Sequence, residues 1–276
     1  MKKILVPTDF SDCARTAERI GLEIAEKAKA EIHFMHIMAT GVDWVKLPLE
    51  KEDLYPEIRA QIAHAKSDLN ALQAKAEKLG LQADTLLLFD KGRSEIDRQI
   101  AENKYDFIVM GSHGTSGIKD FIGSNTQKVV RHSKAPVLVV KEDIQKLVVK
   151  NLVFASSFEE DVQGPFRKIA EFANLMGADI HLLYINTPFG FKETDVALAL
   201  MEAFKAECPN IGCTLNVFDA FNEERGIQKF AESMSTDVIA LATHGKSGFM
   251  KMISPSITEH LVNHSGIPVL SVNLNS

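Results

Sequence analysis

An internal repeat is the feature that most constrains how this chain folds. Residues 2–37 align without a gap with residues 150–185. Three landmarks recur in the same order: KKILVPTDF corresponds to KNLVFASSF, FIVMGSHGTSG at 107–117 to VIALATHGKSG at 238–248, and RHSKAPVLVV at 131–140 to NHSGIPVLSV at 263–272. Self-similarity of this kind indicates that one structural unit is built twice.

The repeat also sets the domain organisation that we predict. A chain of 276 residues is long enough for two domains of ordinary size. The charged segment KEDIQK follows the last apolar run of the first copy and marks a boundary. We expect a first domain at residues 1–143 and a second domain at residues 149–276.

Each copy alternates short apolar runs with amphipathic segments. In the first copy the apolar runs predict strands at 4–7, 32–38, 85–89, 107–110 and 136–140. Helical spacing and capping residues predict helices from Ser11 to Ala28, from Pro56 to Leu79, at 94–102 and at 124–132. Strands that alternate with helices indicate a parallel sheet covered on both faces.

Residues suited to ligand binding follow two of the predicted strands. Pro7-Thr8-Asp9 follows the first strand, and a glycine-rich stretch from Gly111 to Ser124 follows the fourth. Ligands of open parallel sheets bind beyond the carboxyl ends of strands. Glycines let the backbone approach a phosphate, and a helix N-terminus favours an anion. If strands one and four are neighbours, Asp9 faces this loop, and the pair indicates a nucleotide.

The same residues also have simpler interpretations, which stay open at this point. Glycines build tight turns without any ligand, and Asp is a common helix cap. His113 and His244 precede motif glycines with no neighbouring nucleophile, as turn residues do. The acidic triplet at 159–161 suits the start of a helix. No histidines and acids have the spacing of a metal site.

Four motifs of the first copy occur together. They are Pro7-Thr8-Asp9-Phe10-Ser11, Met110-Gly111-Ser112-His113-Gly114, Gly123-Ser124, and Ala135-Pro136-Val137-Leu138-Val139-Val140. This combination resembles the universal stress protein (UspA) family, and its echo in the second copy makes the chain similar to a tandem member. The resemblance implies an α/β fold of two tandem doubly wound five-stranded parallel sheets, each of order 3-2-1-4-5, adenine nucleotide alpha hydrolase-like.

The resemblance also implies that ATP or another adenine nucleotide binds in the first domain, with or without Mg²⁺. ATP-binding members have Gly, two residues, Gly, nine residues, Gly, then Ser or Thr. Here eight residues separate the second glycine from the third. Carried over, Asp9 meets the adenosine, the backbone of Ile37 lies near adenine, and the glycines approach ribose and phosphates. The expected binding residues are Pro7, Thr8, Asp9, Ile37, Met110, Gly111, Gly114, Gly123, Ser124 and Asn125.

The second copy has lost several of these groups. Ala242 stands where the first copy has Gly111, and Pro255 stands where it has Gly123. Proline removes an N–H that a phosphate could use. Ser157 stands in place of Asp9 and lacks its charge. We therefore expect a degenerate site in the second domain.

These expectations favour a non-enzymatic stress-response regulator. The second domain would act as pseudo-dimer partner, with the last strands, 137–140 and 269–272, close together. No catalytic residue is assigned, because no general base, essential lysine or metal set is evident. Two alternatives stay open: a slow ATPase or self-phosphorylating protein with Ser116 or Ser124 as acceptor, and an interaction module without nucleotide.

Composition limits the partners and the location. The formal net charge of −6 argues against a general nucleic-acid binder. No apolar run is long enough to span a membrane. We therefore expect a cytoplasmic protein that binds a small nucleotide and neither nucleic acid nor membrane. An unknown protein partner and a further homo-oligomer are left open.

Overall fold

The structure is a computed structural model that describes residues 1–90, 95–113, 123–141, 144–159, 161–208, 210–243 and 255–274. The strands are β1 (Lys3–Pro7), β2 (Glu31–Ala39), β3 (Ala83–Asp90), β4 (Phe107–Gly111), β5 (Val137–Val140), β6 (Asn151–Ala155), β7 (Asp179–Asn186), β8 (Cys213–Asp219), β9 (Val238–Thr243) and β10 (Val269–Asn273). The helices are α1 (Asp12–Ala28), α2 (Leu49–Glu52), α3 (Pro56–Lys78), α4 (Glu95–Asn103), α5 (Ser124–His132), α6 (Gln163–Met176), α7 (Thr194–Ala206), α8 (Glu223–Ser233) and α9 (Pro255–His264).

The ten strands form one continuous sheet of order β3-β2-β1-β4-β5-β10-β9-β6-β7-β8. Each half keeps the predicted order 3-2-1-4-5 with parallel neighbours, which confirms the predicted fold class. The two predicted sheets are joined where β5 pairs with β10 in antiparallel fashion. The predicted closeness of the two last strands is thereby confirmed.

The β5–β10 pairing has a local two-fold symmetry. Leu138 lies opposite Leu270, its own counterpart in the repeat, and Val139 lies opposite Val269. These four residues are almost completely buried. An interface that joins equivalent residues is the arrangement found in two-fold dimers, here within one chain.

Helices cover both faces of the sheet. One apolar cluster lies under α1, α3, α6 and α7, and includes Ile20, Leu69, Phe166 and Phe204. The other lies under α4, α5, α8 and α9, and includes residues such as Val129. Both clusters contain residues of both halves, so the core is continuous across the β5–β10 junction.

Side chains also connect the two halves directly. Phe107 of β4 stacks on Phe172 of α6, with ring centroids 5.4 Å apart and planes inclined by 12°. On the other face, Glu259 of α9 forms an ion pair with Arg131 and accepts a hydrogen bond from Gln127 of α5. Burial of large aromatic rings makes the first contact an important one for stability.

Two connections contain details that the sequence analysis did not predict. One follows β2 and the other follows β6. The polar loop after β2 contains a 3₁₀ turn at Trp44–Lys46, capped by Asp43, and the short helix α2. In the second half, α6 begins at Gln163 and therefore after the acidic triplet, not with it. Asp161 instead accepts a hydrogen bond from the Gln163 amide at 3.3 Å.

Within the described parts of the chain, no helix is both long and apolar enough to cross a membrane.

Candidate functional site

The carboxyl ends of β1 and β4 lie side by side, as a ligand site at this edge requires. Ile4 pairs with Phe107 and Leu5 pairs with Ile108. Continuing this register places Pro7 opposite Met110. The Pro7-Thr8-Asp9 segment therefore leaves the sheet next to the start of the glycine-rich stretch, which confirms that strands one and four are neighbours.

Asp9 lies in a turn that joins β1 to α1. Its Oδ1 accepts a hydrogen bond from the backbone N–H of Ser11 at 3.2 Å. Ser11 is the N-cap of α1 and accepts from the amide of Ala14. The N-cap of α1 is therefore Ser11, as the sequence predicted, and the simpler interpretation of Asp9 as this helix cap is wrong.

The second half builds the same turn without a carboxylate. Ser157 Oγ accepts a hydrogen bond from the Glu159 amide at 3.4 Å, the counterpart of the Asp9 contact. Phe10 and Phe158, at equivalent positions, both adopt left-handed backbone conformations, with φ of 62° and 56°. A serine hydroxyl therefore satisfies this turn in the second half, so the backbone hydrogen bond of the turn does not by itself require a carboxylate.

The hydroxyl of Thr8 both donates and accepts a hydrogen bond within the fold. Its Oγ1 donates to the Glu18 carboxylate and accepts from the Phe10 amide at 2.9 Å. Its carbonyl oxygen accepts a hydrogen bond from His36 Nδ1 at 2.7 Å. Thr8 and Glu18 are each only 6% exposed. The side chain of Thr8 thus supports the turn from below, and a ligand at this edge would meet its backbone.

The buried carboxyl of Glu18 gives a pH-dependent stability. Burial raises its pKa above the ordinary value of 4.5, against the lowering effects of the Thr8 hydrogen bond and of Lys75 and Arg15. A raised folded-state pKa means that the folded chain holds this proton more tightly than the unfolded chain. This contribution to stability is complete below the unfolded pKa and is lost as pH rises through the folded pKa.

We predict that Glu18→Gln removes this pH dependence while retaining an acceptor for Thr8. Relative to the variant, the wild-type free energy of unfolding should fall as pH rises from about 4 through the raised pKa. Urea denaturation across this range measures the difference. Glu26→Gln, an exposed carboxylate on the same helix, should follow the wild-type curve. Parallel curves for wild type and Glu18→Gln would refute the assignment.

Gly111 has a packing reason for being glycine. A Cβ added there would lie 2.9 Å from Cys13 Sγ and 3.1 Å from the Cys13 carbonyl carbon, in the first turn of α1. Close approach of α1 to β4 therefore excludes a side chain. In the second half the equivalent helix begins later, at Gln163, and Ala242 fits at the Gly111 position.

Of the two predicted binding residues Met110 and Ile37, the first has its side chain in the core and the second has its backbone at the carboxyl edge of the sheet. Met110 is 4% exposed and packs in the apolar cluster under α4 and α5. Ile37 is partly buried against the same cluster, two positions beyond Met35, the partner of Pro7. The backbone of Ile37 therefore lies at the carboxyl edge, whereas the Met110 side chain is a core group.

The N-terminus of α5 faces the same edge. The Gly123 amide donates to the Ser112 carbonyl at 2.8 Å, and Thr126 Oγ1 donates to the Gly111 carbonyl at 2.9 Å. These bonds fix the start of the helix against the end of β4. Ser124 and Asn125 are exposed, and within the described residues no side chain caps this helix. Its first amides are thus suited to an anion.

Several predicted residues lie outside the described residues. They are Gly114, the whole stretch between it and Gly123 including Ser116, and, in the second half, the glycine-rich segment at 244–254 with His244. The roles predicted for them stay predictions.

The second half contains a cavity of about 550 Å³ at its own carboxyl edge. Ser156, Ser157 and Ile185 line it at positions equivalent to Thr8, Asp9 and Ile37. The described wall is acidic, because Glu159, Glu223 and Glu224 contribute three carboxylates against the one ammonium of Lys192. Lys192 is itself paired with Glu159 at 2.7 Å, and this hydrogen bond raises the pKa of Lys192. Negative charge on the wall is unfavourable for a polyphosphate.

The model of the universal stress protein family matches residues 1–141 and 222–273. The chain belongs to the universal stress protein family. A universal stress protein of Methanocaldococcus jannaschii is 31% identical over 143 residues, which cover 51% of this chain and 82% of the relative. A universal stress protein of Synechocystis is 22% identical over 291 residues, which cover 98% of this chain and 99% of the relative.

A solved structure shares this fold over the whole chain. The universal stress protein of Archaeoglobus fulgidus superposes with a TM-score of 0.73 at 21% identity and covers 98% of each chain. The ten-stranded arrangement of this universal stress protein is therefore a fold that a full-length neighbour shares.

Sequence reasoning missed two residues that support the site of this universal stress protein. Glu18 holds Thr8, and Cys13 sets the clearance at Gly111. The spacing of four residues between Ala14 and Glu18 places the glutamate on the core-facing side of α1, and this spacing could have predicted its burial. No comparable signal was available for Cys13, because its importance depends on how closely α1 approaches β4.

Proposed function

We propose that the first half, residues 1–143, binds ATP or another adenine nucleotide as a non-enzymatic stress-response regulator. The second half, residues 149–276, acts as its pseudo-dimer partner. The observation that supports this proposal best is the matched pair of turns after β1 and β6. Ser157 satisfies the second turn with a hydroxyl, whereas the first turn places the carboxylate of Asp9 at the carboxyl edge of the sheet.

The geometry of the first half supports specific roles. Asp9 would accept hydrogen bonds from the ribose hydroxyls, and backbone groups of Pro7, Thr8 and Ile37 would flank the adenine. The amides of Ser124 and Asn125, at the start of α5, where no described side chain forms a cap, would donate hydrogen bonds to phosphate oxygens. Gly111 would contribute only through its backbone, because the position that a Cβ would occupy lies against Cys13 of α1.

The second half is the weaker candidate site because of the charge of its cavity and not because of the cavity's size. The second half has a cavity large enough for a small ligand. Its described wall nevertheless carries three glutamates and one lysine, and that lysine is already paired. Together with the sequence changes at Pro255 and Ser157, this charge makes the second half the weaker site for ATP.

Nucleotide extraction and thermal unfolding test the proposal. We expect purified protein to release an adenine nucleotide on denaturation, or added ATP to raise the melting temperature of stripped protein. Ligand at about 100 times its dissociation constant stabilises a protein by about 2.7 kcal/mol, which gives a readable shift. If nothing is released and ATP leaves the melting temperature unchanged, the nucleotide proposal is wrong. GTP, added in parallel, tests whether adenine is recognised.

A further inference from the structure

A second cavity lies at the opposite edge of the sheet, where the amino ends of β4 and β5 meet α6. Its volume is about 570 Å³. Most of its lining comes from the first half, including Tyr105 and Pro136, and α6 of the second half supplies Lys168 and Glu171. The cavity therefore lies between the two halves, far along the strands from the turns that hold Asp9.

The lining combines an apolar wall with an excess of ammonium groups. Ile100, Phe107 and Ala135 are among its apolar members. Lys104, Lys134 and Lys168 contribute cations, and none of the three forms an ion pair with another described residue. His132 also lines the cavity.

Two carboxylates line the cavity, and one of them is already used. Asp106 Oδ2 accepts hydrogen bonds from the backbone amides of Lys2 and Lys3 at 2.7 and 2.9 Å. Glu171 is exposed on α6. These bonds hold the start of β1 to β4 and leave the negative charge of Asp106 in place. Both carboxylates act on Lys168, and the three lysines still outnumber the two acids of the lining.

Lys168 is the least expected of the three lysines. Its side chain is half-buried, and its Nζ donates to the Lys134 carbonyl at 3.2 Å. Burial lowers its pKa. Cations are favoured near helix C-termini, which accounts for Lys104 after α4 and Lys134 after α5. Lys168 lies in the first half of α6, where the helix dipole gives no such reason.

The internal symmetry provides a comparison within the same chain. The repeat matches Lys104 with Ser235, Lys134 with Gly266, and Lys168 with Ile20. The symmetry-related position thus has none of the three ammonium groups. Asp106, in contrast, has Asp237 as its counterpart, and Asp237 accepts the equivalent backbone hydrogen bonds from Lys150 and Asn151. The aspartate and its backbone hydrogen bonds recur in both halves, whereas the three lysines occur only at this position.

We propose that this cavity is a binding site for a small organic carboxylate with an apolar body. The ammonium groups of the three lysines would receive the carboxylate, and the apolar wall would cover the body. Because α6 supplies Lys168 and the first half supplies the other two lysines, the ligand would bridge the halves. Such a ligand would strengthen their packing without contacting the candidate nucleotide site.

Octanoate is the probe for the test, titrated calorimetrically into the full chain. We expect saturable binding at one site per chain, weakened at least tenfold by Lys168→Met and by the double change Lys104→Ser/Lys134→Gly. The double change introduces the residues found at the symmetric positions and alters exposed side chains only, so the variant should remain folded. Lys78→Ser, an exposed lysine at the end of α3, should bind octanoate like wild type.

Two further titrations separate the ligand classes. Octylammonium, with the same body and opposite charge, should show no saturable binding, and inorganic phosphate should bind at least tenfold more weakly than octanoate. The proposal is overturned if octanoate does not saturate, if the lysine variants bind it unchanged, or if either comparison ligand binds as tightly. Because the experiment contains no nucleotide, its result is independent of ATP binding.

Discussion

Leu138→Asp is expected to lower the free energy of unfolding by at least about 4 kcal/mol, the largest effect we predict for one residue. Leu138 and Leu270 are both fully buried and lie opposite each other where β5 meets β10. An aspartate at this position would bury a charge without a partner in the apolar cluster beneath α1 and α6. The same cluster includes residues of both halves, so their packing would fail together.

Chemical denaturation followed by circular dichroism and by the fluorescence of Trp44 measures this effect. Wild type should unfold in one cooperative transition, because the core is continuous. The variant should unfold at a much lower denaturant concentration and expose residues 144–150 to proteolysis. Val148→Asp is the control, since Val148 is 51% exposed and should tolerate the charge. A Leu138→Asp variant as stable as this control would show that the β5–β10 junction contributes little.

Asp9→Ser is expected to weaken ATP binding by roughly 10- to 100-fold with almost no change in stability. A hydrogen bond to a charged group contributes about 1.5–3 kcal/mol, which corresponds to that range of dissociation constants. The substitution introduces the residue that the second half uses in the same turn. The Ser11 amide keeps an acceptor, so the melting temperature without ligand should stay close to that of wild type.

Ser157→Ala is the matched control for this prediction. It removes the equivalent acceptor from the second turn and, if the second half is only a partner, should leave ATP affinity unchanged. Fluorescence or calorimetric titration gives both dissociation constants. An Asp9→Ser variant that binds ATP like wild type would remove the main support for a nucleotide site in the first half.

The sequence predicts the fold well because the repeat and the hydrophobic pattern are local and redundant. The predicted strands and helices lie within a few residues of the observed ones, and Ser11 caps α1 as expected. At the end of α3, Gly80 has φ of 76°, the left-handed conformation typical of a glycine after a helix. Strand order followed from the family resemblance, and the order is confirmed in both halves.

Tertiary distances explain what the sequence could not predict. Gly111 looks like a ligand glycine in the sequence, yet its neighbour in the structure is Cys13, about 100 positions away in the chain. In the second half α6 begins at Gln163, a boundary that the acidic triplet before it did not predict. The closeness of β5 and β10 was expected from the family resemblance, but their antiparallel pairing into one continuous sheet is a long-range contact that no local pattern encodes.

The cavity between the halves was also beyond sequence reasoning. Lys104, Lys134 and Lys168 are distant in sequence and each resembles a solvated surface lysine. Only the packing of α6 against the amino ends of β4 and β5 brings them to one cavity. The repeat then becomes informative in retrospect, because it shows that the symmetric positions have no cation.

The number of ATP molecules bound per chain tests the central claim most directly. Calorimetric titration of nucleotide-free protein with ATP should give one site per chain. That site should be lost or strongly weakened in Asp9→Ser and retained in Ser157→Ala. Two equivalent sites would contradict the proposed asymmetry between the halves, and no saturable binding would contradict the nucleotide-binding function.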